Sequence, residues 1–166
     1  MRKPLHIFVV TLAVVSLSLF SCRMQAHNKN SKTAPEFTLN NLDGKPFNLR
    51  DASGKVVILD FWATWCPPCK MELPHFEALY RKYREKGFVV IGISLDRIEP
   101  SAIRAFAKAN GITYPVLIGD QKVIDDYGGI KSIPTTFIIN RRGIIVEKLT
   151  GYHTREVFEN AIKKLL

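Results

Sequence analysis

Two cysteines separated by two prolines stand between a buried strand and a helix, and this junction constrains the fold more than any other feature. Residues 56–61 (VVILDF) form a nearly continuous run of β-branched and apolar residues, typical of a central strand buried on both faces. Between Pro68 and Lys86 the apolar residues recur at helical spacing. The segment Cys66-Pro67-Pro68-Cys69 lies between them. The chain is therefore predicted to leave the sheet and begin a helix at these cysteines.

The spacing of the two cysteines suits a reversible disulfide. Two intervening residues, with the second cysteine in a helical turn, can bring the Cα atoms within the roughly 4.4–6.8 Å that a disulfide needs. Cys66 would then lie at the helix N-terminus, where unpaired N–H groups and the helix dipole stabilise a thiolate. Cys66 is therefore the predicted nucleophile. Cys69, one turn inside, is expected to be buried and to resolve a mixed disulfide formed at Cys66.

A metal site and a purely structural disulfide are the alternatives for this pair. A structural zinc site needs four ligands, and the domain offers only His75 and His153, which are far apart in sequence. A static disulfide stays open as an alternative, although a loop of four residues adds little stability. No metal, and no cofactor other than the redox-active disulfide Cys66–Cys69, is therefore expected.

Strands and helices alternate along the rest of the domain. A hairpin is predicted within residues 36–49, where Asp43-Gly44 separates two short apolar pieces. A second buried strand spans residues 88–94, and a further hairpin and a final helix occupy residues 135–166. This order indicates an α/β sandwich with a mixed central sheet.

The N-terminus has the pattern of an export signal. Arg2 and Lys3 precede an apolar stretch from Leu5 to Phe20, which spans about 24 Å as a helix and is short of the roughly 30 Å hydrocarbon core. The following Leu19-Phe20-Ser21-Cys22 resembles the bacterial lipobox, in which the cysteine is lipidated. Residues 1–21 are therefore predicted to be a lipoprotein-type signal peptide. Ordinary cleavage and an uncleaved anchor helix are the alternatives.

The remainder of the chain divides into a tether and one domain. Residues 22–34 are polar without a hydrophobic period and are predicted to form a flexible tether, followed by one domain over residues 35–166. With 46% hydrophobic and 23% charged residues, the composition is that of a globular protein rather than a disordered or polytopic membrane protein. The net charge of +9 is interpreted as a solvated basic surface, with a negatively charged membrane surface or an acidic partner as the alternative. No nucleic-acid partner is expected.

The sequence around the cysteines resembles the thioredoxin superfamily. The stretch from Asp60 to Met71 (DFWATWCPPCKM) is similar to the thioredoxin active site, and Pro74 matches the proline that kinks its helix. The segment from Ser132 to Phe137 (SIPTTF) resembles the loop whose cis-proline faces the cysteines. The resemblance covers residues 35–166. It implies a thioredoxin-like three-layer sandwich with a mixed central sheet.

Other features are similar to the membrane-anchored TlpA/ResA type of extracytoplasmic oxidoreductase. These are an N-terminal β-hairpin beginning Pro35-Glu36-Phe37, a central strand–helix insertion near residues 88–115, and the export segment. Glu72 is the fourth feature, because in that group a glutamate three residues after the second cysteine takes part in proton chemistry. The resemblance implies a protein outside the cytoplasmic membrane, on the periplasmic or outer cell-surface side, anchored through Cys22.

The resemblance also implies roles for residues around the cysteines. Asp60 matches the buried acid of thioredoxins and, with Glu72, is expected to exchange a proton with Cys69. Pro134 is expected to present the backbone of Ile133 to an extended partner segment. Two residues that flank the nucleophile are assigned to the substrate-docking rim. They are Trp65 and Pro67.

The resulting functional prediction is a tethered reductase of exported proteins that carry disulfides. The haem-attachment cysteines of apocytochrome c are one example of a substrate that the resemblance suggests, with a membrane thiol reductase as electron donor. A disulfide oxidase or isomerase of the same fold is the main alternative. A peroxidase is disfavoured because Leu59 and Ala63 stand where peroxiredoxins have proline and threonine. A copper chaperone is disfavoured because its relatives place three residues, not two, between the cysteines.

Overall fold

The computed structural model describes residues 32–166. The predicted signal peptide, the predicted lipidation at Cys22 and the predicted tether up to residue 31 lie outside the described residues. Residues 32–166 belong to one compact unit, which contains both hydrophobic clusters and every strand described below. Among residues 32–166, no helix is both long enough and apolar enough to cross a membrane.

A six-stranded mixed sheet forms the centre of the domain, with the strand order β1-β8-β7-β4-β5-β6. Its central strand β4 pairs in parallel with β5 and antiparallel with β7. A separate two-stranded hairpin is formed by β2 and β3. In chain order the elements are β1 (Lys32–Thr33), β2 (Thr38–Asn40), β3 (Pro46–Asn48), β4 (Val56–Trp62), α1 (Pro67–Tyr83), β5 (Phe88–Ser94), α2 (Pro100–Ala109), β6 (Val116–Ile118), α3 (Gln121–Asp126), β7 (Thr135–Ile139), β8 (Ile144–Thr150) and α4 (Arg155–Lys163).

Both faces of the sheet are covered, which makes the domain a three-layer sandwich. Side chains alternate along β4, and all seven of its residues are buried. Ile58 and Trp62 pack into a cluster with residues of α1, α2 and α4. Leu59 and Phe61 pack on the opposite face, against residues of α3 and the N-terminal hairpin. The predicted thioredoxin-like α/β fold with a mixed central sheet is confirmed.

The first strand begins before the domain boundary that the sequence suggests. Lys32 and Thr33, assigned above to the tether, pair antiparallel with Ile145 and Ile144 of β8. The next residue, Ala34, is buried and donates its N–H to the carbonyl of Gly143 at 2.8 Å. This pairing uses only backbone groups, so a polar segment without hydrophobic period gave no sign of it. Sheet pairing therefore begins at residue 32 rather than 35.

Candidate active site

The active-site helix α1 begins directly at the first cysteine. Cys66 is the N-cap residue, and Pro67 and Pro68 occupy the first turn, which has no acidic residue. The N–H of Cys69 points at Sγ of Cys66 at 3.3 Å. One backbone N–H and the positive end of the helix dipole are therefore directed at this sulfur, and both favour its thiolate form.

The two cysteines form a disulfide in this structure. Their Cα atoms are 5.3 Å apart and the S–S distance is 2.08 Å. Cys69 is 1% exposed, as expected for a resolving cysteine, but Cys66 is only 3% exposed. Exposure therefore does not distinguish the two sulfurs when they are bonded. Their positions do, because Cys66 caps the helix and Cys69 lies within its first turn.

A loop from the far side of the sequence closes over the first cysteine. The peptide bond between Ile133 and Pro134 is cis, as the resemblance implied, and β7 begins directly after it. The carbonyl oxygen of Ile133 lies 3.7 Å from Sγ of Cys66. Pro134 is buried, whereas Ile133 is half-buried. The pairing of β7 with β4 brings this loop to the end of the sheet where Cys66 lies.

The two predicted rim residues flank Cys66 and face solvent. Trp65 is 65% exposed, and Pro67 is also exposed. The solvent-exposed indole of Trp65, next to the reactive sulfur, offers apolar surface to a partner. The structure thus brings Trp65, Pro67, Ile133 and Pro134 together around Cys66.

Two carboxyl groups are buried on β4 and α1, the two elements that flank the cysteines. Asp60 is 2% exposed and accepts a hydrogen bond from Oγ1 of Thr136 at 3.0 Å. Glu72 is fully buried, one helical turn after Cys69, and its Oε1 accepts the N–H of His153 at 2.6 Å. The other oxygen of Glu72, Oε2, is inaccessible and has no hydrogen-bond partner among the described residues.

Burial raises the pKa of both carboxyl groups. Burial and then the nearby carboxylate of Glu72 raise the pKa of Asp60 well above its ordinary value, although the Thr136 hydroxyl opposes the rise. Burial raises the pKa of Glu72 to about 7, while the hydrogen bond from the N–H of His153 lowers it. A proton can therefore be held in this layer near neutral pH. Groups of this kind are suited to accept and return a proton.

An aspartate that the sequence analysis did not identify holds the loop before the cysteines. Asp96, just after β5, is buried and accepts hydrogen bonds from the N–H of Thr64 at 2.9 Å and from its hydroxyl at 2.7 Å. It also accepts a hydrogen bond from the hydroxyl of Ser94 at 2.7 Å. Asp96 therefore fixes the residue that stands two positions before Cys66. The carboxyl ends of parallel strands meet at one edge of a sheet, and an aspartate directly after the second buried strand is the signal that could have indicated this contact.

No metal-binding cluster is found in the described part of the chain, where no three histidine, cysteine or acidic side chains are grouped to hold an ion. His75 and His153, which were considered above as zinc ligands, have other neighbours. The ring of His75 is 6.0 Å from that of Tyr152, and His153 contacts Glu72 through its backbone.

Residues 31–148 match the AhpC/TSA family. The chain is 41% identical over 135 residues to the thiol-disulfide oxidoreductase ResA of Bacillus thuringiensis (strain Al Hakam), which covers 81% of this chain and 77% of that protein. It is 35% identical to the ResA of Halalkalibacterium halodurans, over 95% of this chain and 93% of that protein. A solved structure of a thiol:disulfide interchange protein of the thioredoxin family from Chlorobium tepidum superposes with a TM-score of 0.75 at 31% identity, covering 81% of this chain and 96% of that one.

Proposed function

From the premise that the chain belongs to the AhpC/TSA family and is a thiol-disulfide oxidoreductase of thioredoxin-like fold, we propose that it reduces disulfides of exported proteins while tethered outside the cytoplasmic membrane. The observation that carries the proposal is the placement of Cys66. Its sulfur caps a helix, receives the Cys69 N–H and lies 3.7 Å from the backbone carbonyl of Ile133. A nucleophilic sulfur is thereby set beside backbone groups that can hold an extended polypeptide.

The reaction begins with both cysteines reduced. The thiolate of Cys66 attacks one sulfur of the substrate disulfide, a mixed disulfide forms, and the second substrate sulfur leaves as a thiolate that takes up a proton. The thiolate of Cys69 then attacks Sγ of Cys66. This second step forms the Cys66–Cys69 disulfide and releases the first substrate sulfur. Two electrons pass from the enzyme dithiol to the substrate, which leaves as a dithiol.

The buried carboxyl groups supply the proton acceptor for the second step. Cys69 must lose its proton before it attacks. It is buried, as are Glu72, which follows it by one turn on the same helix, and Asp60 on β4. With a pKa of about 7, Glu72 is charged in part of its population at neutral pH and can take this proton. The mutual repulsion of the two carboxylates favours one shared proton over two charges.

Substrate docking uses the surface around the first cysteine. An extended segment of the partner would pair with the backbone of Ile133 next to Pro134, as an added strand does. Trp65 and Pro67, the exposed neighbours of Cys66 in the chain, provide an apolar rim beside it. Since this recognition uses backbone and apolar contacts, it suits several exported proteins, of which apocytochrome c is one example.

The N-terminal segment is the basis for the proposed location. Its apolar stretch and the lipobox-like residues before Cys22 would export the chain and anchor it in a lipid membrane. The similarity to the Halalkalibacterium halodurans protein covers 95% of the chain and so extends well into this segment. Outside the membrane the enzyme needs a source of electrons. A membrane thiol reductase would return the Cys66–Cys69 disulfide to the dithiol.

An oxidase or isomerase that uses the same two cysteines is the second candidate, because thiol-disulfide exchange is chemically reversible. The reduction potential separates the two directions. A value near or above about −150 mV would favour oxidation of substrates, and one below about −230 mV would favour reduction. Peroxidase chemistry has less support, since Leu59 and Ala63 are apolar and fully buried where a peroxidatic site needs proline and threonine.

Trapping tests the proposed order of attack. A Cys69→Ser variant retains the nucleophile but cannot resolve, so it should accumulate mixed disulfides with exported proteins, which non-reducing electrophoresis and mass spectrometry would identify. The matched Cys66→Ser variant should trap almost none. Equal trapping by the two variants would contradict the roles of Cys66 and Cys69, and partners restricted to cytoplasmic proteins would contradict the location.

A further inference from the structure

The net positive charge of the domain is concentrated at the end opposite the disulfide. Four turns lie at that end, at residues 50–55, 84–87, 140–143 and 163–166, and together they contain eight basic and two acidic side chains. Residues 32–166 as a whole contain 20 basic and 15 acidic residues. The rest of the domain is therefore close to neutral, and the charge is concentrated on one surface, which we call the basic pole.

One arginine shows that these turns meet in space. The guanidinium of Arg141 donates hydrogen bonds to the carbonyls of Gly54 at 3.3 Å, Lys86 at 3.0 Å and Leu166 at 2.9 Å. These carbonyls belong to the other three turns. A single side chain thus holds all four turns together, and their charged neighbours share one surface.

Several cations of the basic pole are available to a partner. Lys55, Lys86, Arg142 and Lys164 are exposed, and none of them is in an ion pair within the described residues. Charges that are not neutralised by a neighbour retain their full attraction for an anionic surface. The basic pole is therefore open to an external anionic partner.

The strand β4 separates the basic pole from the active site. β4 begins at Val56, next to the turn at residues 50–55, and ends at Trp62, four residues before Cys66. Seven residues of strand span about 20 Å. The basic pole and the disulfide therefore lie at opposite ends of the sheet.

The chain that precedes the domain joins it at the basic pole. Thr33 pairs with Ile144, and the N–H of Ala34 bonds to the carbonyl of Gly143 in the turn that contains Arg141 and Arg142. Thr33 and Ala34 line the same surface pocket as Lys55 and these arginines. The predicted export and anchoring segment thus leads directly to the most basic part of the domain.

We propose that the basic pole docks on the anionic lipid headgroups of the membrane that holds the anchor, and that this orients the disulfide away from the bilayer. The inference rests on the tethered location proposed above. The predicted tether, about ten residues up to the start of β1, would keep the local concentration of the domain at the surface high, so individually weak attractions are sufficient. Juxtamembrane basic residues act additively within a Debye length of an anionic leaflet.

Vesicle sedimentation with the purified domain, residues 32–166, tests the docking without any anchor. The wild-type domain should bind vesicles that contain phosphatidylglycerol, should not bind pure phosphatidylcholine vesicles, and should dissociate at high salt. Three substitutions that remove charge from the basic pole should lower the partition coefficient on the order of a hundredfold. They are Lys55→Gln, Arg142→Gln and Lys164→Gln.

A matched variant removes the same charge elsewhere. Arg97→Gln, Lys108→Gln and Lys131→Gln, all exposed and outside the basic pole, should leave binding within a few-fold of wild type. Equal losses in the two triple variants would overturn the proposal, because net charge alone would then explain binding. Binding to poly-glutamate but not to anionic vesicles would also overturn it, in favour of an acidic protein partner.

Membrane docking and the proposed reductase function can be tested separately. Reduction of a soluble disulfide substrate by the basic-pole variant should equal that of wild type, since the substitutions lie at the opposite end of the sheet. Failure of the wild-type domain to bind anionic vesicles, with normal reductase activity and export, would overturn only the docking. Failure of export or of trapping would instead contradict the proposed function and leave the vesicle result as measured.

Discussion

The wild-type domain should lose stability as the pH rises because Glu72 ionises while buried. Replacement of Glu72 by glutamine should abolish this loss. Glu72 is fully buried, and one of its oxygens has no hydrogen-bond partner among residues 32–166. Burial raises its pKa from 4.5 to about 7. Below pH 4.5 the carboxyl is protonated in both the folded and the unfolded chain, so its charge costs nothing. Between pH 4.5 and 7 only the unfolded chain ionises freely, and above pH 7 the folded chain bears the full cost of a buried charge.

The size of this effect follows from the two pKa values. A rise from 4.5 to about 7 corresponds to about 3 kcal/mol in the free energy of unfolding, lost as the pH increases. Glutamine cannot ionise and can still accept the N–H of His153. Its new amide group costs a similar amount at every pH, so the pH dependence, rather than the absolute stability, reports the carboxyl. Removal of the Glu72 charge also relieves Asp60, which acts in the same direction.

Urea unfolding of the oxidised domain, followed by tryptophan fluorescence from pH 4 to 9, measures the difference. The free energy of unfolding of Glu72→Gln relative to wild type should increase by about 3 kcal/mol across this range. Glu147→Gln, on the exposed strand β8, serves as the control and should follow the wild-type curve. Parallel curves for Glu72→Gln and wild type would refute the argument, since Glu72 would then be charged without cost.

Three further substitutions test contacts that hold the site and the surrounding domain. Asp96→Ala should lower the free energy of unfolding by about 2 kcal/mol and slow disulfide reduction, because Thr64 loses both of its hydrogen bonds to Asp96. Unchanged reduction kinetics would show that Asp96 does not position the loop before Cys66. Gly92→Ala should cost about 1–3 kcal/mol in thermal or urea unfolding, because its Cβ would lie 2.9 Å from Nε1 of Trp62. The pKa of Glu77 is lowered, since the hydrogen bonds from Thr113 and Arg81 outweigh its burial. Glu77→Gln should therefore lose stability at neutral pH, and this deficit should shrink as the pH falls, in the opposite sense to Glu72→Gln.

Much of the fold could be predicted because its signals are local. The buried run ending at Phe61 and the helical spacing after Pro68 placed the cysteines at a strand–helix junction, and β4 and α1 lie there. The hairpins were also readable, because a turn dipeptide between short apolar pieces depends only on neighbouring residues. The strand at Lys32 could not be predicted, since its partner is β8, more than 100 residues away in the chain.

Some residues of the candidate site could likewise be predicted from local sequence, and others could not. The pattern around Cys66 and the resemblance it carries indicated Asp60, Glu72, Ile133 and Pro134. Local sequence could not show that Asp96 holds Thr64, because the two come together only when β4 and β5 pair in parallel.

The amino-acid sequence by itself determined the chemistry of this protein, because a cysteine at the start of a helix and a second one a turn later are properties of a short segment. Tertiary structure alone decided how that chemistry is tuned and where its charges lie. The ionisation of Glu72 depends on the layer that buries it, and the basic pole exists because Arg141 draws four distant turns together. Burial and long-range proximity arise from packing, and packing is a property of the whole chain.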